Sequence, residues 1–367
     1  MKHYFLLFIL LLVIITIEGC TEELHPETNG TNSPVLNEGE LTKAVLDLSV
    51  NTFAVEAQAE TRASIPSNIP ENETSEEKEV HNIWVFQYDA VTKELLIKPR
   101  YYTITDQIML QDLPVYLKAG IPSFVYVVTN TGYDNWANDD TDTSWQKFKN
   151  LEQLKKQTLP TAFPLRSIDK VSIPMVGASE EVEVTTGITV TVPVTRMYAK
   201  LKVKVEMLKA EMKLNNVNVR QIPNICRIET FAGDGNGEPM NAVPFPDGTT
   251  FSSIAFAASD LEKSEDKEWA VFYVPENLQG EIENQGGNKS DAAPSNALVV
   301  DVTAEIGGEK YLYAAYPGGN SLNNFNIQRN QVYRMTLTIT GEKGQNNPSS
   351  NCFVVKPNGF LSFEPYY

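Results

Sequence analysis

Hydrophobic and polar residues alternate along several short stretches of the chain, which is the pattern of half-buried β-strands. The first such stretch carries Leu46, Leu48 and Val50 on one side and polar residues between them. Polar, Pro-containing stretches at residues 22–39 and 61–78 flank it. The pattern therefore predicts a single strand that stands apart from the other strands along the sequence.

Residues 83–88 and 124–128 are apolar on both faces, as in strands that are covered on both sides. Alternation on both sides of Thr186-Gly187, from residue 182 to 194, predicts a hairpin. A long alternating stretch at 196–207 opens the second half, and short strands separated by Gly, Asn and Pro follow it. The chain is therefore predicted to be mainly β, with a sandwich in each half.

One stretch has a different period. Large apolar residues recur every three positions from Trp145 to Leu154, with lysines between them. This spacing predicts one short amphipathic helix within residues 144–158, N-capped by Ser144 and covering the first core.

The N-terminus has the features of an export signal. An apolar run of roughly 14 residues follows Met1-Lys2-His3, which is too short to span a membrane and is typical of a signal peptide. It ends in Ile17-Glu18-Gly19-Cys20, which resembles a bacterial lipobox. We expect residues 1–19 to be removed and Cys20 to be lipidated. The alternative is an ordinary secretory signal followed by a cysteine without that role.

The net charge and the number of histidines exclude some classes of function. The 367 residues include 47 acidic and 30 basic side chains, a formal charge of −17, which opposes nucleic-acid binding. Of the three histidines, only His81 lies in the region predicted to fold, so zinc sites built on two or three histidines are excluded there. Neither a metal nor a cofactor is predicted. A hydrolase that uses paired carboxylates is the catalytic alternative that acidic residues leave open.

Other candidate sites are weak. Cys226 and Cys352 leave both a disulfide and two free thiols open. The acidic loop at residues 134–142 matches no standard Ca²⁺ motif and is interpreted as solvated. Within it, Trp136 is the aromatic residue considered for stacking on a sugar.

Four segments of the sequence carry a family resemblance. They are residues 83–89 (IWVFQYD), 196–201 (RMYAKL), 272–277 (FYVPEN) and 324–333 (NFNIQRNQVY), with a weaker match at residues 174–177 (PMVG). In this order and behind a lipobox, they resemble the fimbrillins of Bacteroidales, the FimA/Mfa-like subunits of type V pili.

The resemblance implies a fold without catalysis, so that the chain is not expected to be an enzyme, and a division of the chain. The expected fold is two transthyretin-like β-sandwich domains, with one short helix in the first domain. The predicted segments are a signal peptide (1–19), a tether with a removable N-terminal strand (20–62), an N-terminal domain (63–195), a C-terminal domain (196–345) and a tail (346–367).

The resemblance also implies assembly by strand exchange. A surface protease specific for arginine is expected to cut between Arg62 and Ala63, in a polar stretch of the kind that proteases reach easily. The cut would release the strand that carries Leu46, Leu48 and Val50, and a neighbouring subunit would fill the emptied groove.

The C-terminal tail is the candidate donor. Residues 350–360 (SNCFVVKPNGF) resemble a linking segment of some longer relatives. Phe353 and Val355 are expected to face one side of a donor strand, although Pro357 and Gly359 interrupt it. An unstructured tail is the alternative.

The implied function is a structural subunit of a cell-surface fimbrium that supports adhesion and biofilm formation, with a shaft position favoured over the tip. The expected partners are other fimbrial subunits, the arginine-specific protease, and glycans or proteins of a host or another bacterium. The expected location is the outer membrane and then the fimbrium. The alternative function is a glycan-binding outer-membrane lipoprotein that does not polymerise.

Overall fold

The computed structural model describes residues 41–55, 73–107, 111–132, 144–160, 165–169, 172–229, 241–264, 267–282, 293–319, 324–339 and 352–353. Within these ranges the chain is mainly β-structure, as predicted, with several sheets and two short α-helices. No helix in this part of the chain has the length and apolarity needed to cross a membrane.

The strands are described in two halves of the chain, divided between β11, which ends at Arg196, and β12, which begins at Tyr198. Those of the first half are β1 (Leu41–Val50), β2 (Ala54–Val55), β3 (Val80–Asp89), β4 (Arg100–Gln107), β5 (Leu113–Lys118), β6 (Pro122–Thr129), β7 (Thr158–Pro160), β8 (Leu165–Arg166), β9 (Met175–Ala178), β10 (Val182–Glu183) and β11 (Thr189–Arg196). Those of the second half are β12 (Tyr198–Met207), β13 (Met212–Pro223), β14 (Ile225–Arg227), β15 (Phe251–Ala257), β16 (Trp269–Pro275), β17 (Val299–Ile306), β18 (Glu309–Ala315), β19 (Gln331–Ile339) and β20 (Cys352–Phe353). The α-helices are α1 (Leu151–Lys155) and α2 (Ala258–Leu261), and 3₁₀ helices cover Glu76–Lys78 and Ser144–Phe148.

The first sheet has the strand order β4-β3-β6-β9-β11-β1-β5, and β10 pairs with β6. Its alternating aliphatic side chains form one buried cluster that includes Ile104 of β4 and Val115 of β5. Because the two ends of the sheet contribute to the same cluster, the sheet curls around it. The N-terminal strand β1 is therefore part of this core and not an accessory to it.

The second half contains two sheets, in the orders β2-β19-β12-β16-β8 and β15-β13-β17-β18-β20. Residues of both sheets, such as Leu201 and Phe272 from one and Val219 and Val300 from the other, form a common core. Two sheets that share an inner core in this way form a sandwich. The predicted sandwich of the second half is consistent with this packing.

A third cluster joins the halves. The outward faces of β3, β12 and β16 contribute Trp84, Phe86, Tyr198 and Tyr273 to it, and Phe148 packs edge-on against Phe86. Through these contacts the described residues of the two halves belong to one compact unit. The domain boundary after residue 195 stays a prediction, although β11 ends and β12 begins there.

The helical segment of the first half differs from its prediction. Residues 144–148 form a 3₁₀ helix, only Leu151–Lys155 is α-helical, and Asn150 caps α1 in place of Ser144 by accepting the Gln153 N–H at 2.9 Å. A spacing of three residues matches the 3₁₀ period, and for this reason the apolar stripe does not continue as one α-helix. The second short helix, α2, was not predicted.

The predicted hairpin around Thr186-Gly187 is wrong. The chain does turn at Gly187, but β10 pairs with β6, whereas β11 pairs with β9 and β1. Alternation reports which residues face the core and does not report which strand lies alongside.

Gly177 provides a test of the close packing of β9 on β11. A Cβ atom at this position would lie 1.9 Å from the Pro193 carbonyl oxygen, a backbone atom that cannot move away alone. Gly177→Ala should therefore lower the free energy of unfolding by about 3 kcal/mol or more. Gly187→Ala is the control, because its Cβ would meet open space and only the positive φ of 77° opposes it, at about 1 kcal/mol. Equal losses in denaturant unfolding would show that β9 and β11 do not approach this closely.

Candidate functional site around the N-terminal strand

The predicted N-terminal strand is β1, an interior strand of the first sheet. It runs parallel to β11, with Leu46 opposite Val190 and Leu48 opposite Val192, and antiparallel to β5, with Leu46 opposite Leu113. Backbone hydrogen bonds run from the Val45 N–H, in the middle of β1, to the Ile188 carbonyl at 2.8 Å, and from the Asn51 N–H, directly after β1, to the Val194 carbonyl at 2.9 Å.

The inward face of β1 is apolar and well covered. Leu46 is fully buried and Leu48 is nearly so, as is Ala44 before them, whereas Val50 is half-buried. Burying side chains of this size contributes about 1.5–3 kcal/mol each, before the cost of ordering the strand. The strand is thus held by a continuous apolar face in addition to its backbone pairing.

The place of β1 in the sheet has a structural consequence. Its neighbours β11 and β5 pair with it and not with each other. Without β1, one edge of each neighbour would present unpaired N–H and C=O groups along an apolar groove. Such a groove is suited to an incoming strand.

The chain immediately after β1 is held by side chains from distant parts of the sequence. Phe53 is 5% exposed, and its N–H donates to Glu73 Oε1 at 2.6 Å. The Arg196 guanidinium carbon lies 4.2 Å from the centre of the Phe53 ring, and Lys200 Nζ lies 5.7 Å from it. A cation over an aromatic face is attracted more strongly when water is excluded, as it is here.

Arg196 is the centre of these contacts and has no exposed surface. It donates to the Asn51 carbonyl at 2.7 Å, to the Glu77 carbonyl at 2.9 Å and to Glu73 Oε1 at 3.3 Å. Burial lowers the pKa of the Arg196 guanidinium, and the Glu73 and Glu77 carboxylates oppose that effect. A buried cation of this kind depends on having all its partners in place.

A second ion pair lies beside Arg196. Lys200 Nζ is 2.8 Å from Glu77 Oε1, and both side chains are buried. The Tyr273 hydroxyl donates to the same carboxylate oxygen at 2.5 Å. Burial and the neighbouring Glu77 raise the pKa of Tyr273 well above its usual range, which keeps its proton available for this bond.

The other carboxylate, Glu73, is held as an anion. Burial works to raise its pKa, but the Lys78 ammonium, the Phe53 N–H and the Arg196 guanidinium together hold the pKa of Glu73 below its ordinary value. Two buried carboxylates, Glu73 and Glu77, therefore face two buried cations, Arg196 and Lys200.

Asn330 completes the arrangement from the start of the last core strand. Its amide donates to the Thr52 carbonyl at 2.8 Å, its side-chain oxygen accepts from Arg196 at 3.2 Å, and its N–H donates to the Tyr198 carbonyl at 2.9 Å. We call Glu73, Glu77, Arg196, Lys200 and Asn330 the N-terminal clamp. Its contacts with residues 51–53 go mainly to backbone atoms and to one aromatic ring.

A second buried pair supports the clamp from behind. Arg329 binds Glu276 through Nε at 3.1 Å and Nη2 at 2.9 Å, and it also donates to the carbonyls of Arg227 and Ile228. Because Asn330 follows Arg329 directly, this pair fixes the backbone that carries the clamp's asparagine. The backbone of Asn330 has a φ of 57°, which asparagine tolerates better than most residues.

The structure describes only part of the predicted site. Leu46, Leu48 and Val50 lie in β1, and Phe353 lies in β20, whose backbone pairs in parallel with β18. The remaining predicted site residues lie outside the described residues: Cys20, Arg62, Ala63 and Val355.

The other candidate chemistry is limited in the part of the chain that the structure describes. Cys226 is a free thiol, and burial raises its pKa to about 12, so it does not supply a thiolate near neutral pH. The Nε2 atom of His81 lies 3.5 Å from Oε2 of Glu79. The described residues contain no group of three or more His, Cys, Asp or Glu side chains that would hold a metal ion. The acidic loop at 134–142, with Trp136, lies outside them.

The clamp is not evident from the pattern of the sequence. The alternation in residues 196–207 places Arg196 and Lys200 on the polar face of β12. In the structure, the aromatic cluster that joins the two halves covers this face at the first residues of the strand. The available signal is Tyr198, a large aromatic residue between the two cations on the same face. Glu73 and Glu77 stand in a polar stretch that carries no such signal.

Truncating an inward side chain of β1 tests how strongly the groove holds the strand. In the unprocessed chain, Leu46→Ala should lower the free energy of unfolding by about 2–5 kcal/mol, because it leaves a cavity in the first core. Ser49→Ala, on the exposed side of the same strand, should change it by no more than about 0.5 kcal/mol. Similar small effects of both variants in denaturant unfolding would show that β1 does not complete the core.

One family model matches the chain, that of a domain of unknown function (DUF4906), over residues 272–337. This stretch runs from β16 into β19 and contains Glu276, Arg329 and Asn330. A search of curated proteins found no match.

Solved structures resemble the chain over most of its length. The tip fimbrial protein Mfa3 from Porphyromonas gingivalis, with C-terminal truncation, matches with a TM-score of 0.48 and 15% identity over 82% of this chain and 96% of that chain. A fimbrial assembly protein from Parabacteroides distasonis ATCC 8503 matches with a TM-score of 0.43 and 16% identity over 83% of this chain and 92% of that chain. The chain is similar, at low identity, to these two fimbrial proteins.

Proposed function

We propose that the chain is a structural subunit of a cell-surface fimbrium. It is exported as a lipoprotein that is lipidated at Cys20, cut between Arg62 and Ala63, and assembled by strand exchange. Its body consists of two transthyretin-like domains, residues 63–195 and 196–345, and it acts in the shaft in preference to the tip. Its role is mechanical and adhesive, without catalysis.

The observation that carries this proposal is the interior position of β1. The strand lies between β11 and β5 and buries Leu46 and Leu48 in the first core. In the sequence it lies on the N-terminal side of Arg62, whereas both neighbours lie on the C-terminal side. A cut after Arg62 therefore separates β1 from the rest of its sheet without breaking any other strand of that sheet.

The C-terminal tail is proposed as the segment that refills the groove on a neighbouring subunit. The pairing of Cys352–Phe353 with the edge of β18 supports this role, because the tail adopts strand pairing there. Phe353 and the predicted inward residue Val355 would then take the places of β1 side chains. Other fimbrial subunits and a surface arginine-specific protease are the partners that this pathway requires.

Processing at Arg62 is testable with the purified unprocessed chain. Treatment with an arginine-specific protease should yield a body that begins at Ala63, and that body should form multimers that resist SDS and dissociate on heating. Arg62→Lys keeps the charge but removes the recognised side chain, so this variant should remain uncut at position 62 and monomeric. N-terminal sequencing and unheated gel electrophoresis measure both properties.

Two outcomes would contradict the proposal. A body that begins at Ala63 but stays monomeric would exclude strand exchange, and multimers of the uncut Arg62→Lys chain would exclude processing as the trigger. The first outcome would favour the non-polymerising glycan-binding lipoprotein.

A further inference from the structure

The N-terminal clamp binds a specific short pattern, Asn51-Thr52-Phe53. Arg196 and Asn330 bind the first two carbonyls, and the ring of the third residue lies against two cations. Nη2 of Arg196 has no hydrogen-bond partner among the described residues, which leaves the Phe53 ring as an important partner of this buried group. Whatever fills the groove after β1 should therefore bring an aromatic residue to the same place.

The C-terminal tail repeats this pattern at the same spacing. Phe53 stands five positions after the buried Leu48, and Phe360 stands five positions after Val355. In both segments an asparagine lies two positions before the phenylalanine, since residues 358–360 are Asn-Gly-Phe. The middle residue differs, but Thr52 is exposed and the bond that it makes to the clamp uses its carbonyl.

Pro357 fits this register, although it interrupts an ordinary strand. It falls at the position of Val50. In the parallel ladder Val45 and Asn51 donate their N–H groups toward the β11 side, so alternation directs the Val50 N–H to the opposite side. The pairing with β5 has already ended there, at Leu46 opposite Leu113. The missing N–H of a proline therefore removes no ladder bond at this position.

The neighbouring positions are also compatible. Lys356 falls at Ser49, which is exposed, and Phe353 falls at the buried Leu46. The match begins at Cys352, because Asn351 would fall at the fully buried Ala44.

Other registers lose the match. A shift by one residue in either direction would bring Gly359 or Leu361 to the position of Phe53. The same shift would turn Phe353 and Val355 away from the core, since side chains alternate between the two faces of a strand.

We propose that the clamp binds Asn358-Gly359-Phe360 of a second copy of this chain and so sets the register of the donor strand. The proposal rests on the proposed function, since the clamp must first be emptied by the cut after Arg62. In the precursor, residues 51–53 occupy the clamp with the same Asn-x-Phe pattern. Removing them leaves Arg196 buried without the Asn51 carbonyl and the Phe53 ring, a costly state that favours a matching occupant.

The test compares two phenylalanines of the tail in the full chain, processed by the arginine-specific protease. Phe360→Ala should leave cleavage before Ala63 unchanged and make the multimers dissociate at least about tenfold faster on warming, because a buried aromatic anchor is lost. Phe363→Ala, which lies beyond the matched pattern, should behave as wild type.

A photoreactive phenylalanine analogue at position 360 gives an independent measurement. Between subunits, it should cross-link to a peptide that contains residues 196–200, and the analogue at position 363 should not. Cross-links from position 360 to other peptides only, or equal dissociation rates of the two alanine variants, would overturn this inference and leave strand exchange intact. Failure of the processed wild-type chain to form multimers would instead overturn the proposed function.

Discussion

A strand inside a sheet must find a partner for its backbone on both sides, because its N–H and C=O groups have lost water. In this chain β1 pairs with β5 through residues 41–46 and with β11 through residues 45–50, and it also closes the first core with Leu46 and Leu48. The closed first core follows from this placement, and removal of β1 would leave an open groove between β11 and β5. Removal of a strand from the edge of the sheet would expose the backbone of one neighbouring strand, whereas removal of β1 would expose the backbones of two.

Buried charge adds specificity to what is otherwise an apolar groove. Apolar side chains of similar volume replace one another in a core at little cost, whereas a buried ion that loses a partner is strongly destabilised. The segments 196–201, 272–277 and 324–333, which carry the family resemblance, are distant in sequence. Together they supply Arg196, Lys200, Tyr273 and Asn330 to one place beside the end of β1. Residues of these three segments therefore hold the N-terminal segment in place, in addition to forming strands of the second half.

The periodicity of the sequence predicts which face of a strand is buried, but it does not predict which strands pair with each other. It predicted β1 and the mainly β fold, because alternation directly reflects burial of one face. It failed for the hairpin at Gly187, since the partner of β10 is the distant β6. It also missed the burial of Arg196 and Lys200, which results from a tertiary core that covers the polar side of β12. Buried ion pairs between distant segments leave little signal in local patterning.

The central claim is that β1 is a placeholder that the mature subunit has lost. Its most direct test is mass spectrometry and N-terminal sequencing of the protein taken from the native cell surface. We predict a chain that begins at Ala63, runs as multimers sensitive to heat, and lacks any peptide from residues 41–50. A chain that still begins at lipidated Cys20, retains those peptides and migrates only as a monomer would contradict the account.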